Sequence, residues 1–334
     1  MIAFYISSHG FGHLTRCLGH IEKYLLETNY NIYIVCGEKQ IEFAKKYLNK
    51  YSVNRTSFKS MVTDIGLINK ENSLDVDKEK LEKELFNFID SWNQIVQEEL
   101  EYLKNKKIER IITDISPIGM LVGNKLGIKV EAISNFTWYN QYNFLKLNSF
   151  ILSKYIEVEN YINKFYMYPL ALDLSHLSCE KENIDYVSRK FDREKIEELK
   201  EKYKKIIFIS CGKSANLEKI EIKNYKGTIF YTEGIEIFGE GNHIKLSVET
   251  KDTHNYVGAS NFIISKAGWG TVAEAISSNI PMVLLEREGV LEDSRIIEEL
   301  KKQNKAISMK VEELKALDME KLEKKVKILT TDKD

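Results

Sequence analysis

Short apolar runs that end in turn chemistry alternate along most of the chain with amphipathic stretches of helical length. This rhythm restricts the chain to helices layered on parallel sheets. In the first half the runs fall at about Ile2 to Ser7, Asn31 to Cys36, Ser52 to Phe58, Arg110 to Asp114 and Lys129 to Ser134. Helical patterns separate them at about Leu14 to Glu27, Glu38 to Leu48, Lys78 to Asn105 and Ile118 to Leu126. After an aromatic-rich stretch from Phe136 to Tyr168, strands are expected near Lys205 to Ser210, Gly227 to Thr232, His243 to Ser247, Phe262 to Lys266, Pro281 to Glu286 and Ala306 to Met309. The intervening helices fall near Ala215 to Lys219, His254 to Ala259, Thr271 to Ser278 and Leu291 to Gln303. The expected fold class is α/β, with two Rossmann-like parallel-sheet domains facing a cleft: residues 1–168 and residues 169–334. The default ligand site is the groove at the carboxyl ends of both sheets.

Composition narrows the function. The chain carries 49 Lys+Arg against 50 Asp+Glu. It therefore lacks the basic excess with which proteins neutralise duplex nucleic acid, and no such partner is expected. No apolar stretch approaches the roughly 20 residues of a membrane-spanning helix, and the N-terminus lacks the pattern of a secretion signal. The four cysteines are scattered without paired spacing, which reads as a cytoplasmic protein with reduced thiols. The aromatic stretch is expected to be a helix packed by its rings against its own domain. A peripheral membrane contact or an acceptor groove is the other use of such a face. Oligomeric state has no signal in the sequence.

Several segments carry chemistry. The first strand runs into Ser7-Ser8-His9-Gly10-Phe11-Gly12-His13, then Leu14-Thr15-Arg16. Glycines here let the backbone turn and approach a ligand, and the pattern is not the GxGxxG of dehydrogenases. His13, at the mouth of the following helix, is the candidate general base. Asp114 ends another strand of the same sheet; it is either a helix cap or the carboxylate that orients His13. In the second half, Ser265-Lys266-Ala267-Gly268-Trp269-Gly270-Thr271 joins a strand to a helix whose first N–H groups suit a diphosphate. Glu274 follows, placed to take ribose hydroxyls or simply to balance a helix start. Ser210, Gly212 and Lys213 end the first strand of that domain and are candidates to border the phosphates. His9, Gly12, Asn135, Arg287 and Glu292 are further candidate contacts to sugar or acceptor. Asp75-Val76-Asp77 reads as helix capping rather than a metal pair, and no metal site is expected.

Taken in order, SSHGFGHLTR, SNFTWY, HLSC and SKAGWGTVAEA resemble the two-domain glycosyltransferases of the GT-B fold, especially the glycosyltransferase-like half at the start of plant L-arabinokinases. The chain is more distantly similar to the bacterial peptidoglycan N-acetylglucosaminyltransferase. The resemblance implies transfer of a sugar from a nucleotide-diphosphate donor, a UDP-sugar, to an unknown acceptor, with inversion, without a metal and with no cofactor beyond the donor. By that likeness Gly268, Gly270 and Thr271 meet the diphosphate and Glu274 the ribose, while Ser210 and Gly212 border phosphates or sugar. His13 takes the place of the family's histidine near the reacting centre, and Asp114 that of the aspartate supporting it. A nucleotide-sugar 2-epimerase and a non-catalytic nucleotide-sugar-binding or accessory protein are the competing readings.

Overall fold

The computed structural model describes residues 1–331 apart from 52, 72, 213–218 and 248. Lys213 and most of the helix expected at Ala215 to Lys219 thus lie outside the described residues. The chain divides into two units, residues 1–68 with 76–185 and residues 69–75 with 186–334.

In the first unit, β1 (Ile2–Ile6), β2 (Ile32–Cys36), β3 (Thr56–Ser60), β4 (Arg110–Asp114), β5 (Val130–Ser134), β6 (Ile162–Met167) and β7 (Glu180–Asn183) form one parallel sheet. Its order is β3-β2-β1-β4-β5-β6-β7. All five residues of β1 are buried, as a central strand covered by helices on both faces requires. The helices are α1 (Gly10–Glu27), α2 (Glu38–Leu48), α3 (Lys78–Leu103), α4 (Pro117–Leu126), α5 (Trp138–Phe144) and α6 (Ser149–Glu159). On α1, Leu14, Cys17, Leu18, Ile21 and Leu25 make the buried stripe at helical spacing. Asp77 caps α3, accepting from the Lys80 N–H at 3.1 Å, so capping is its role.

Three features depart from expectation here. First, α1 opens at Gly10 rather than Leu14, so His13 stands in its first turn and not in a loop. Second, the aromatic stretch is two helices followed by β6. Its rings nevertheless pack inward: Trp138 stacks on Tyr142 at 5.5 Å, and Tyr142 meets Tyr155 edge-on at 4.8 Å. Third, the first unit extends to Asp185, past the expected boundary at 168/169, because β7 pairs in parallel with β6 and closes that edge of the sheet.

The second unit opens with α7 (Arg193–Lys202) and β8 (Ile206–Ser210). There follow β9 (Ile220–Lys223), β10 (Thr228–Tyr231), β11 (Ile237–Gly239), β12 (Asn242–Lys245), α8 (Thr253–Ala259), β13 (Phe262–Lys266), α9 (Trp269–Ser277), β14 (Met282–Glu286), α10 (Leu291–Lys302), β15 (Ala306–Lys310), β16 (Ala316–Asp318) and α11 (Met319–Thr331). The main sheet runs β12-β10-β8-β13-β14-β15, and a small parallel sheet, β11-β9-β16, lies beside it. Ile220 and Ile222 of the small sheet share a buried apolar cluster with Ile209, Ile264 and Leu285 of the large one. Leu74, contributed by residues 69–75, is 4% exposed and belongs to the same cluster.

Counted from its own first strand, each main sheet begins in the order 3-2-1-4-5-6. The order in which strands are added reverses between the first and fourth strands of such sheets, and ligands bind beyond the carboxyl ends at that point. The switch points are β1/β4 in the first unit and β8/β13 in the second. Among the described residues no helix is long and apolar enough to cross a membrane.

Candidate functional site

At the first switch point, β1 leads through Ser7 and Ser8 to His9, the N-cap of α1, and to Gly10, whose φ of 72° is one that glycine adopts without strain. Gly12 is exposed, and nothing lies within 4 Å of where a side chain would begin. His13 follows with its side chain 10% exposed. From the neighbouring strand comes Asp114, then Ile115 with a φ of 52°, a strained value for a β-branched residue. Ser116, not Asp114, caps α4, accepting from the Gly119 N–H at 3.4 Å. Asp114 is thereby left for the histidine: its Oδ1 lies 3.2 Å from His13 Nδ1.

A third residue joins the pair. Arg16, one turn beyond His13, donates from Nε to Asp114 Oδ2 at 2.8 Å and from Nη2 to Asp114 Oδ1. It also donates to Asn135 Oδ1 at 3.0 Å and to Ser134 Oγ at 3.0 Å. Its Nη2 lies 2.8 Å from His13 Nδ1. Burial alone would raise the Asp114 pKa; the Arg16 and His13 charges overturn that and hold the carboxyl well below the usual range. Asn135, expected as an acceptor contact, is fully buried with Oδ1 bound by Arg16, so it braces the cluster from within.

A second carboxylate faces the same loop. Asp64 is 2% exposed and accepts from the Ser8 N–H at 2.9 Å and from Trp138 Nε1 at 2.8 Å. Burial raises its pKa against these bonds and the attraction of His13. The His9 ring meets Trp138 edge-on at 5.9 Å and presses on Gly66, where any side chain would overlap it. His9 therefore packs the loop. His176 of the HLSC motif bonds Glu159 at 3.0 Å and lies 3.3 Å from Thr137 of SNFTWY. One nitrogen, Nε2, makes both contacts, which excludes a relay between them.

At the second switch point, β8 ends in Ser210, whose hydroxyl pairs with Thr232 at 2.9 Å, followed by Cys211 and Gly212. Gly212 has a φ of 88°, and a Cβ there would lie 3.1 Å from the Lys266 ammonium. Lys266 ends β13 beside it; burial, then repulsion from Arg287, pull its pKa down to about 8. Gly268 is the N-cap of α9, with no side chain to satisfy the first N–H groups. Gly270 and Thr271 lie in that first turn.

Because α9 opens at Trp269 rather than at Thr271, Glu274 falls in its second turn. It is 6% exposed, and Arg189 donates to its Oε1 from Nε at 3.1 Å and Nη2 at 2.7 Å. Among the described residues Oε2 makes no hydrogen bond. Arg189 also donates to the Lys251 carbonyl and to Thr253 Oγ1, at 2.5 and 3.2 Å. Arg287, expected as a sugar contact, is held in a fork by Asp293 with both bonds at 2.6 Å, so its Nε–Nη2 edge is committed internally. Glu292 stands beside it in the first turn of α10.

Sequence reasoning left four residues without a role: Arg16, Asp64, Arg189 and Lys266. Arg16 carried a signal, a charge beside the apolar stripe of its helix. Asp64 and Arg189 lie in irregular segments, where periodicity gives none.

Residues 188–334 match the glycosyltransferase family 28 C-terminal domain. The chain is similar to an L-arabinokinase of Arabidopsis thaliana, 24% identical over 313 residues that take in 86% of this chain and 28% of that protein. It thus spans little more than a quarter of that relative's length. Among solved structures it is similar to Arabidopsis thaliana UGT89C1 complexed with quercetin, at a TM-score of 0.65 and 10% identity, over 99% of this chain and 90% of that one. Phytolacca americana UGT2, complexed with UDP-2fluoro-glucose and pterostilbene, matches at a TM-score of 0.58 and 10% identity, over 92% and 85%. The chain has the fold of the GT-B glycosyltransferases, and its match to the glycosyltransferase family 28 C-terminal domain falls within the second unit.

Proposed function

We propose that the protein transfers a sugar from a UDP-sugar to an acceptor hydroxyl with inversion at the anomeric carbon. The observation that carries this reading is the buried Asp114 carboxylate 3.2 Å from Nδ1 of His13, whose side chain is 10% exposed. Asp114 holds the Nδ1–H, and Nε2 takes the acceptor proton as the acceptor oxygen attacks. The bond from the anomeric carbon to the diphosphate breaks, and its electron pair leaves on the diphosphate. The uncapped start of α9 and the Lys266 ammonium stabilise that charge, so the reading calls on no metal. Glu274 Oε2 takes the ribose hydroxyls while Arg189 holds Oε1.

The solved neighbours bound to UDP-2fluoro-glucose and to UDP-L-rhamnose support a UDP-sugar donor. The reading is of a cytoplasmic enzyme with Cys17, Cys36, Cys179 and Cys211 as free thiols. A thermal-shift panel of nucleotide sugars tests it, since a ligand at 100 times its Kd adds about 2.7 kcal/mol of stability. The stabilising donor is then incubated with candidate acceptors. UDP release with an inverted glycoside is expected. No stabilisation by any UDP-sugar overturns the reading, and epimerised UDP-N-acetylglucosamine without an acceptor replaces it with a 2-epimerase.

A further inference from the structure

We propose that Asp75 reads an uncharged sugar in a cavity beyond the carboxyl ends of β14 and β15. The inference deepens the transferase reading and rests on it for the ligand's identity, since a sugar is the group that reading has to seat. The cavity holds about 580 Å³, the size of a small-molecule site. Its wall is made by residues 73–75, Ile220, residues 286–288 and residues 310–312 with 314 and 315. All of them belong to the second unit. Glu286 ends β14 and Lys310 ends β15, so the cavity lies at the same edge of the sheet as the β8/β13 switch point.

A strap completes the wall. Residues 69–75 pack with the second unit although the chain before and after them belongs to the first. The neck of the strap is pinned by the Asp77 N–H, which donates to the Ile68 carbonyl at 2.8 Å, and by the Lys70 N–H, which donates to the Asp75 carbonyl at 2.9 Å. Leu74 is buried in the apolar cluster, and its neighbours Ser73 and Asp75 line the cavity. The two acids of Asp75-Val76-Asp77 thus part ways. Asp77 caps α3, while the Asp75 carboxylate makes no hydrogen bond or ion pair among the described residues. Ser73 Oγ accepts the Asp75 N–H at 3.0 Å and keeps its own hydrogen to give. Arg287 is nine-tenths buried; Asp293 takes its Nε and Nη2, and Nη1 has no partner among the described residues.

These groups define the ligand. A carboxylate accepts from two adjacent hydroxyls, and a guanidinium N–H and a serine hydroxyl donate to their oxygens. Leu74, Ile220 and Leu314 supply apolar surface for the C–H face of a ring. Four carboxylates and three cations line the cavity, and Arg287 is already matched by Asp293. The balance is negative, so a ligand carboxylate is repelled. Among the described residues no group of three metal-binding side chains comes together, so these acids do not form a cation site. Arg287 is near enough to Lys266 for their charges to repel, and a sugar joined to a diphosphate there has the cavity beside it. A free saccharide offers the same hydroxyls.

Calorimetric titration of the full-length protein separates these sources. The probes are UDP; UDP-glucose, UDP-galactose and UDP-glucuronate; and free glucose, galactose and glucuronate. Asp75→Ala is expected to weaken the tighter neutral UDP-sugar roughly tenfold while UDP stays within about twofold, the loss of a hydrogen bond to a charged group. Weakening confined to the free sugars upholds the site and makes a saccharide its ligand. Within the set that responds, the glucuronate probe is expected to bind at least about fivefold more weakly than the neutral one. Asp75→Asn keeps the shape and removes the charge, so that gap should narrow to about twofold. Both variants keep the fold, because the carboxylate they replace bonds nothing among the described residues. Asp75→Ala leaving every sugar-bearing probe within about twofold of wild type overturns the proposal, as does glucuronate bound as tightly as the neutral sugars, a gap that Asp75→Asn leaves unchanged, or no binding of any sugar-bearing probe. UDP bound with no regard to its sugar sinks this inference alone. Failure of UDP and every UDP-sugar to bind sinks the transferase reading, and the free sugars then still test Asp75.

Discussion

The two switch points share one strand order and are furnished in opposite ways. The first is built from side chains: Arg16 is hydrogen-bonded to Asp114 and lies 2.8 Å from His13, Asp64 is bonded to Ser8 and Trp138, and even a β-branched residue, Ile115, is held at a positive φ beside the carboxylate. The second is built from backbone: Gly212 and Gly268 clear the approach, α9 offers uncapped N–H groups, and Lys266 supplies a charge above them. Topology therefore settles where chemistry happens, while residue type settles which kind. Side chains of fixed geometry suit proton transfer, and amide donors suit a diphosphate, which is all oxygen and charge.

The contrast can be broken or sharpened by measurement. His13→Ala should lower kcat by about 10² to 10⁴-fold. UDP affinity, measured calorimetrically, should stay within about twofold, and an equal loss of both would make His13 structural. Arg189→Ala tests an exception, a buried ion pair in the backbone-built site. Leaving the Glu274 carboxylate unmatched should cost about 3–5 kcal/mol in denaturant unfolding, with nucleotide binding weakened as well. Gly212→Ala should cost about 1–2 kcal/mol, because alanine resists the positive φ. The flexible end of Lys266 should move aside to admit the methyl group. The smallest effect is in pH. The Lys266 ammonium is charged below a pKa of about 8 and neutral above it, so UDP affinity should fall several-fold from pH 7 to pH 9. Lys266→Met should flatten that profile.

Much of this could be read from the amino-acid order, for identifiable reasons. Strands β4 and β13 and helix α2 begin and end where the apolar runs and turn residues place them. Parallel strands buried on both faces make continuous runs that are hard to mistake. The small sheet was illegible: β11 and β16 are three residues each, and their partners are chosen by distant segments rather than by local pattern. Strand β7, Glu-Lys-Glu-Asn, is exposed throughout, as a guarded edge strand is, and carries no apolar alternation. Helix α7 buries only Ile196 and Leu199, too few for a visible period. In the site, glycines and histidine announced themselves, but the partner of Asp114 did not. Spacing puts Arg16 on the face of His13; only the fold brings β4 beneath it.

The anchoring of Leu74 among Ile220, Leu285 and Leu314 bears on how the molecule can be taken apart. A severed C-terminal half beginning at Tyr186 would leave that leucine behind and open an apolar socket to water. Such a fragment should associate or precipitate until a peptide spanning residues 69–75 is added back.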